Sequence, residues 1–356
     1  SILFLEGSAG IGKTVLLEEA GEMAQEHGVF FPPIVDFYDT EMHAHFALEA
    51  RIAQGLDQEG KFFQAYWVAR ERMGRTLMRG AKSLKEQEKH LWDVFLEGYK
   101  SVVKKQRVLL RFDTAELLEY EQDSQEVKVD CEVPTQDAPS WEWLLERIGE
   151  LENTAILIAA RPTPAGLLRR GLVEKHGEHV LPLEISKFSL VETESYFKST
   201  EFGSEVVDES PEMMAKVHLL SDGQPILIAL ALDWLSRGSW ERYIYPARLE
   251  EMRAMQAKAQ QEEQDKQQGE AWQKWMEARR NFKIALVENI RTLDHKGLDM
   301  AAKYAALARK GCSAELLSLL MDISSEEADR LVGELLSLSF VKPPRGDREL
   351  FFLHDE

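Results

Sequence analysis

The sequence predicts an α/β fold: a parallel sheet covered by helices, followed by a helical domain and a winged-helix domain. Short, almost wholly apolar runs alternate with longer helical stretches as far as residue 161, which is typical of a parallel sheet buried on both faces. From about residue 181 the patterning is helical, and the chain ends in three short helices and two apolar strands. We therefore predict domains at residues 1–180, 181–290 and 291–356, the last truncated at its C-terminal end.

The first predicted domain alternates strands and helices. Its candidate strands are the apolar runs Ile2–Leu5, Phe30–Asp36, Val108–Phe112 and Ala155–Ala159. Its candidate helices are Val15–Glu26, His43–Leu56, Leu91–Lys105 and Trp141–Glu150. Residues Tyr120–Pro139 mix charges with prolines and show no clear period, so we expect an exposed excursion there.

The rest of the chain is predicted to be mainly helical. Ser189-Leu-Val-Glu192 resembles a capping box that opens a helix, and Met252–Arg280 is expected to be one long solvated helix or a helix pair. A coiled-coil partner for that segment is the weaker alternative, because no heptad is sustained. The winged helix is predicted from helices at Met300–Arg309, at Ala314–Met321 and after a cap at Ser325, with strands at Ser339–Val341 and Leu350–Leu353.

Composition narrows the classes of function. With 356 residues, 44% hydrophobic and 29% charged, the chain is expected to be globular with two or three domains. Its net charge of −19 disfavours general attraction to nucleic acid or to an anionic membrane. No apolar run approaches the ~20 residues of a membrane-spanning helix. The two cysteines, Cys131 and Cys312, form no disulfide framework, which favours a cytoplasmic location.

The most specific motif is a glycine-rich loop placed between a predicted strand and a predicted helix. Its residues are Gly7, Ser8, Ala9, Gly10, Ile11, Gly12, Lys13 and Thr14. Glycines let the backbone curl until its N–H groups point at phosphate oxygens, and the helix that follows adds its positive N-terminal dipole. Lys13 would contact the β- and γ-phosphates, and the Thr14 hydroxyl would bind Mg²⁺. The motif predicts a nucleotide site.

A second motif would complete the metal site. Val108–Asp113 is an apolar strand that ends in a carboxylate, and Asp113 could therefore hold Mg²⁺ beside the loop. Taken alone, an acidic residue at a strand end is just as often structural. Arg111 is unusual within a buried strand, and we expect an ion pair with a neighbouring strand-end acid such as Asp36.

These motifs resemble the STAND class of P-loop ATPases, which includes the NACHT and NB-ARC modules and is related to AAA+ proteins. The resemblance covers nearly the whole chain. It rests on five elements in order: Gly7–Thr14, Val108–Glu116, Ile156–Arg161, Gly223-Gln224-Pro225 and Leu353-His354-Asp355. It implies an adenine-nucleotide switch that rests with ADP and self-associates with ATP. It also implies sensor and effector domains, such as repeats, outside this chain. We therefore expect the chain to be part of a longer protein.

The resemblance also implies residue roles. Arg161 would sense the γ-phosphate, Gly223 and Pro225 would lie over the adenine, and His354 would contact the β-phosphate of ADP. The alternatives stay open: Arg161 as a strand-end residue before Pro162, the Gly-Gln-Pro element as ordinary helix punctuation, and His354 as an ordinary surface or core histidine.

The acidic residue that would polarise the attacking water is not at the position where the family usually has it. Many family members carry an acid directly after the strand-end Asp, whereas here Thr114 follows Asp113. We expect Glu116 to turn back and take that role. The alternative is slow hydrolysis, with nucleotide exchange dominating.

These residues leave three functions open. The first is an ATP/ADP switch with Lys13, Asp113, Glu116 and Arg161 as its catalytic residues. The second is an ADP-bound scaffold that never hydrolyses ATP. The third, a DNA-binding regulator acting through the winged helix, is disfavoured because the candidate recognition helix Glu326–Leu338 is acidic. The motifs His43-x-His45 and His176-x-x-His179 lack a third metal ligand, so we expect them to be ordinary histidines.

Overall fold

The computed structural model describes residues 1–77, 84–119, 140–237, 248–264, 269–288, 297–308, 311–338, 341–342 and 351–353. Contacts between Cα atoms divide the chain into two units. The first comprises residues 1–8 and 13–185, and the second comprises residues 9–12 and 186–356. The division of the second unit into a helical and a winged-helix domain stays a prediction, as do the three domain boundaries.

The first unit is built on a five-stranded parallel sheet with the order β2-β3-β4-β1-β5. Its strands are β1 Ile2–Glu6, β2 Val35–Asp36, β3 Val108–Asp113, β4 Thr154–Ala160 and β5 Val180–Glu184. Its α-helices are α1 Lys13–Glu26, α2 His45–Leu56, α3 Gln64–Leu77, α4 Leu84–Val103, α5 Ser140–Glu146 and α6 Leu167–His176. Short 3₁₀ helices lie at Thr40–His43, Ile148–Glu150 and Gly177–His179.

Both faces of the sheet are covered. Ile2 and Phe4 of β1 belong to a large apolar cluster that includes side chains of α2, α4 and α5. Leu5 of β1 packs instead in a small cluster with Leu17 of α1. Because successive side chains of a strand point to opposite faces, these two clusters lie on opposite sides of the sheet. The predicted α/β fold class is confirmed.

Four elements of this unit differ from the prediction. The strand predicted at Phe30–Asp36 is reduced to β2, with an isolated bridge from Phe30 to Val108. Pro32 and Pro33 lie between them and have no N–H group to donate to a ladder. We predicted neither strand β5 nor the helices α3 and α6. The predicted excursion at Tyr120–Pro139 lies outside the described residues.

The second unit begins with consecutive helices. They are α7 Leu190–Lys198, α8 Glu201–Glu209, α9 Pro211–Ser221, α10 Pro225–Ser236, α11 Leu249–Gln264 and α12 Glu270–Glu288. The predicted capping box is present, because the Ser189 N–H donates to Glu192 Oε2 at 2.7 Å and the Glu192 N–H donates to Ser189 Oγ at 3.3 Å. Helix α10 is nearly all apolar and buried. The segment Met252–Arg280, predicted as one long helix or a helix pair, lies in the pair α11 and α12.

The last described elements are three helices and an antiparallel pair of strands. The helices are α13 Leu298–Leu307, α14 Ala314–Met321 and α15 Ser325–Leu336, and β6 Val341–Lys342 pairs with β7 Phe352–Leu353. The predicted cap at Ser325 is wrong by one residue: the side chain of Ser324 accepts the Glu327 N–H at 3.2 Å. None of the helices in the described ranges is long and apolar enough to cross a membrane.

Candidate functional site

The glycine-rich loop connects β1 to α1 as the motif predicts. Gly10 and Gly12 have φ values of 65° and 97°, a left-handed region that other residues rarely adopt. The Gly7 N–H donates to the Ala160 carbonyl at 3.3 Å, which ties the start of the loop to the end of β4. Helix α1 begins at Lys13, and its first turn therefore presents backbone N–H groups that have no acceptor within the helix. This geometry suits an anion.

Lys13 is held against the loop. Its ammonium donates to the Gly7 carbonyl at 2.7 Å and to the Ser8 carbonyl at 2.9 Å, and the residue is 9% exposed. The positive charge is therefore concentrated where the loop backbone curls. An ammonium is a compact point charge, which suits it to phosphate oxygens.

The two predicted magnesium ligands lie in direct contact. The Thr14 hydroxyl donates to Asp113 Oδ2 at 2.6 Å, and Asp113 is 3% exposed. A hydroxyl and a carboxylate are hard oxygen donors, and Mg²⁺ commonly takes one or two protein oxygens and completes its shell with phosphate and water. The pair fits that coordination. Among the residues that the structure describes, no group of three or more His, Cys, Asp or Glu side chains could hold a metal ion.

Glu116 and Arg161 are paired with each other. The backbone N–H of Arg161 donates to Glu116 Oε2 at 3.0 Å, and the guanidinium Nε lies 3.2 Å from Oε1. Glu116 is 3% exposed, and burial raises the pKa of its carboxyl above the ordinary value, while the N–H and charge of Arg161 and the charge of Lys13 oppose that rise. The predicted water-polarising acid is thus bonded to the predicted sensor arginine.

Arg111 has partners that the sequence did not indicate. Its guanidinium donates to the carbonyls of Leu17 at 2.9 Å and Pro32 at 3.1 Å, and it lies 4.6 Å from the centre of the Phe31 ring. Gly21 leaves room for it, because a Cβ there would lie 2.2 Å from Arg111 Nη1. These contacts explain how a buried strand tolerates a charged side chain.

In the second unit, the Gly-Gln-Pro element contacts part of the loop. The Gln224 side chain donates from Nε2 to the Ala9 carbonyl at 3.2 Å, and the Ile226 N–H donates to the Gly10 carbonyl at 3.2 Å. Pro225 is the first residue of α10, where its missing N–H costs nothing. Gln224 was not predicted as a candidate site residue, although its position between Gly223 and Pro225 could have indicated that it lies near the loop.

Gly223 is required by its surroundings. Its φ is +69°, and a Cβ there would lie 2.2 Å from the Phe188 carbonyl oxygen. Its own carbonyl accepts the Phe188 N–H at 2.8 Å.

His354 and Asp355 lie outside the described residues, so the predicted role of His354 stays a prediction.

That these histidines bind no metal stays a prediction, and the contacts of three of them and of Trp143 are described. His43 Nε2 lies 2.6 Å from the Phe37 carbonyl, and His176 Nε2 lies 3.0 Å from the Leu145 carbonyl. His45 is buried against the Phe46 ring. Trp143 donates to a buried glutamate, Glu49, at 3.1 Å.

Comparisons with known proteins add little. The sequence matches no model of a known protein family, and no curated protein matches it significantly. The Aeropyrum pernix ORC2 protein in ADPNP–ADP complexes aligns with 14% identity and a TM-score of 0.38, over 99% of this chain and 84% of that one. The Aeropyrum pernix ORC1 protein in complex with DNA aligns with 12% identity and a TM-score of 0.37, over 100% and 84%. Drosophila ORC bound to DNA gives 12% and 0.37, over 73% and 62%. At these identities and TM-scores the alignments assign neither a family nor a role to this chain.

Proposed function

We propose that this chain binds an adenine nucleotide with Mg²⁺ and acts as a switch controlled by the exchange of ADP for ATP. The observation that carries the proposal is the hydrogen bond of 2.6 Å between Thr14 and Asp113. It joins the first turn of the helix after a glycine-rich loop to the acidic end of a buried strand. A loop with Lys13, a hydroxyl and a carboxylate in this arrangement supplies the groups that a nucleoside phosphate and its metal require.

Each residue has a definite task in this proposal. The N–H groups of Gly7–Gly12 and the first turn of α1 would bind the phosphates, and Lys13 would neutralise the β- and γ-phosphate oxygens. Thr14 and Asp113 would hold Mg²⁺, which when bound would neutralise charge on the phosphate oxygens. Gly223 and Pro225 would lie over the adenine. Adenine is preferred because the sequence contains no Asn-Lys-x-Asp motif for guanine.

Hydrolysis is proposed to be slow. Both carboxylate oxygens of Glu116 are engaged by Arg161, so Glu116 must be released before it can orient water. A γ-phosphate that attracts the Arg161 guanidinium would release Glu116. The same pairing supports a second candidate function, an ADP-bound scaffold without turnover. Release of phosphate from ATP by the purified chain distinguishes the two.

The remaining parts of the proposal rest on the resemblance. We infer that nucleotide exchange changes a closed form into an open one, with His354 retaining ADP in the closed form. The open form would self-associate in the cytoplasm, and flanking sensor and effector domains would supply the signal and the output. Binding of nucleic acid by this segment is disfavoured, since helix α15 carries Glu326, Glu327, Asp329 and Glu334.

Titration of a fluorescent adenine nucleotide tests the proposal. We expect Lys13→Ala to weaken binding at least about 100-fold, because it removes the charge that faces the phosphates. Lys175→Ala is the matched control, since Lys175 is an exposed lysine paired with Glu146. Equal affinity of the parent and of Lys13→Ala would overturn the nucleotide site. Thermal melting of all three proteins shows that they are folded.

A further inference from the structure

Thr114, directly after the proposed magnesium ligand, has an unusual backbone. Its φ is 60°, in the left-handed region. Among the residues that the structure describes, the other non-glycine residues with positive φ are Asn153, Asp222 and Asp322. Asn and Asp tolerate this region, whereas for a β-branched side chain it is a genuine outlier that costs conformational energy. Such a conformation persists only where surrounding contacts enforce it.

The contacts that enforce it come from the neighbouring strand. The Thr114 hydroxyl donates to Asp36 Oδ1 at 2.5 Å, and the same oxygen accepts the Tyr38 N–H at 3.0 Å. Asp36 is the last residue of β2 and lies in register with Asp113 of β3, and the Phe37 N–H donates to the Asp113 carbonyl at 3.1 Å. The Tyr38 N–H therefore fixes the Asp36 carboxylate, and the Phe37 N–H ties the segment that carries it to the Asp113 backbone.

Two backbone hydrogen bonds at this turn act on the site. The Thr114 N–H donates to Asp113 Oδ1 at 2.9 Å, while Thr14 occupies Oδ2, so the carboxylate is oriented from both ends. The turn also redirects the chain, since the next N–H, that of Ala115, donates to the Ala159 carbonyl of β4 at 3.0 Å. The Thr114 N–H lies in the peptide plane that it shares with Asp113, so an anchor that fixes the position of Thr114 also fixes this hydrogen bond.

We propose that Asp36 and Thr114 are positioning residues that orient the Asp113 carboxylate for Mg²⁺. Asp36 anchors the Thr114 hydroxyl, this anchor fixes the position of Thr114, and the Thr114 backbone N–H holds Oδ1 of Asp113. The inference rests on the proposed function, because it concerns the metal bound with the nucleotide. Supporting groups of this kind orient metal ligands, and their loss lowers metal affinity.

The experiment compares nucleotide affinity with and without the metal. Fluorescent ADP is titrated into the full chain in excess Mg²⁺ and in excess EDTA, and the ratio of the two dissociation constants measures the coupling between metal and nucleotide. Thr114→Val keeps the shape and removes the hydroxyl. Thr114→Gly adopts φ 60° without strain and also lacks the hydroxyl, so it remains informative if the valine variant fails to fold. Thr114→Ser restores the hydroxyl.

We expect the parent to bind ADP more tightly with Mg²⁺. The valine and glycine variants should reduce the ratio at least about fivefold and change the affinity in EDTA less than about twofold, and the serine variant should keep the parental ratio. The inference is overturned by a parental ratio in both hydroxyl-free variants, by a serine variant as impaired as valine, or by a parent indifferent to Mg²⁺. Those results leave the nucleotide site standing. A parent that binds no ADP in either buffer overturns the proposed function itself.

Discussion

Two buried glutamates in the first unit have the same chemistry and different surroundings. Glu49, on α2, lies 2.6 Å from Arg147, and Glu116, after β3, lies 3.2 Å from Arg161. Burial raises the pKa of both carboxyls. Glu49 accepts a second hydrogen bond from the Trp143 indole at 3.1 Å. Glu116 instead receives the backbone N–H at the end of a strand, close enough to Lys13 for that charge to act on it.

The difference shows that the pairing of a buried carboxylate with arginine does not define its role. The Arg147 guanidinium lies 5.0 Å from the centre of the Trp92 ring, so the Glu49 pair is built into the aromatic core. The Glu116 pair lies where the parallel strands end, which is where α/β proteins bind ligands. We therefore expect Glu49 to govern stability and Glu116 to govern function.

The largest expected effect is on folding. Glu49→Ala should lower the free energy of unfolding by about 3 kcal/mol, because it leaves the Trp143 indole N–H and the Arg147 charge without their acceptor. Glu116→Ala should cost about 1 kcal/mol, since the Arg161 side chain is one-third exposed and can be hydrated. Urea denaturation measures both variants, with the exposed Glu146→Ala as control. Equal losses at the two glutamates would contradict the comparison.

A smaller effect is expected from pH. Burial raises the pKa of Glu49 to about 7, against 4.5 in the unfolded chain. Between these values the folded protein keeps a proton that the unfolded chain releases, so the free energy of unfolding falls as pH rises from about 4.5 to 7. The contribution is at most about 3 kcal/mol. Glu49→Gln should remove this part of the pH dependence. At pH 8 the variant should be more stable than the parent, because only the parent then buries an ionised carboxylate at this position.

The control for the pH experiment is the matched amide at an exposed acid, Glu146→Gln, which should retain the parental slope. Stability is measured by urea denaturation across the same pH range for all three proteins. Identical slopes in the parent and in Glu49→Gln would show that Glu49 is ionised throughout, and the contrast between the two glutamates would then rest on the alanine variants alone.

Much of the first unit could be predicted because its signals are local. The loop Gly7–Thr14 and the apolar strand before Asp113 each carry their chemistry within a few residues, and both form as the pattern indicates. Strand β5 was not predicted because, among the strands that the structure describes, it lies at the sheet edge beside β1, which leaves Leu181 and Leu183 exposed. An edge strand lacks the continuous burial that marks a central one.

The contacts that complete the site could not be predicted because they join distant parts of the chain. The left-handed turn at Thr114 depends on an acceptor 78 residues away, and the acceptor for the Arg161 N–H is 45 residues away. Nothing in the local pattern around Thr114 favours positive φ, and β-branched residues disfavour it. The pairing of Glu116 with Arg161 likewise depends on β3 and β4 being neighbours in the sheet, because Glu116 follows β3 and Arg161 follows β4.

The most direct test of the proposed nucleotide site is to identify what the purified chain carries. The protein is denatured, and the released small molecules are identified and counted by mass spectrometry. We predict an adenine nucleotide, mainly ADP, at close to one molecule per chain, lost in Lys13→Ala and kept in Lys175→Ala. A chain that releases no nucleotide, and still retains none after incubation with excess ATP and Mg²⁺, would contradict the proposed site.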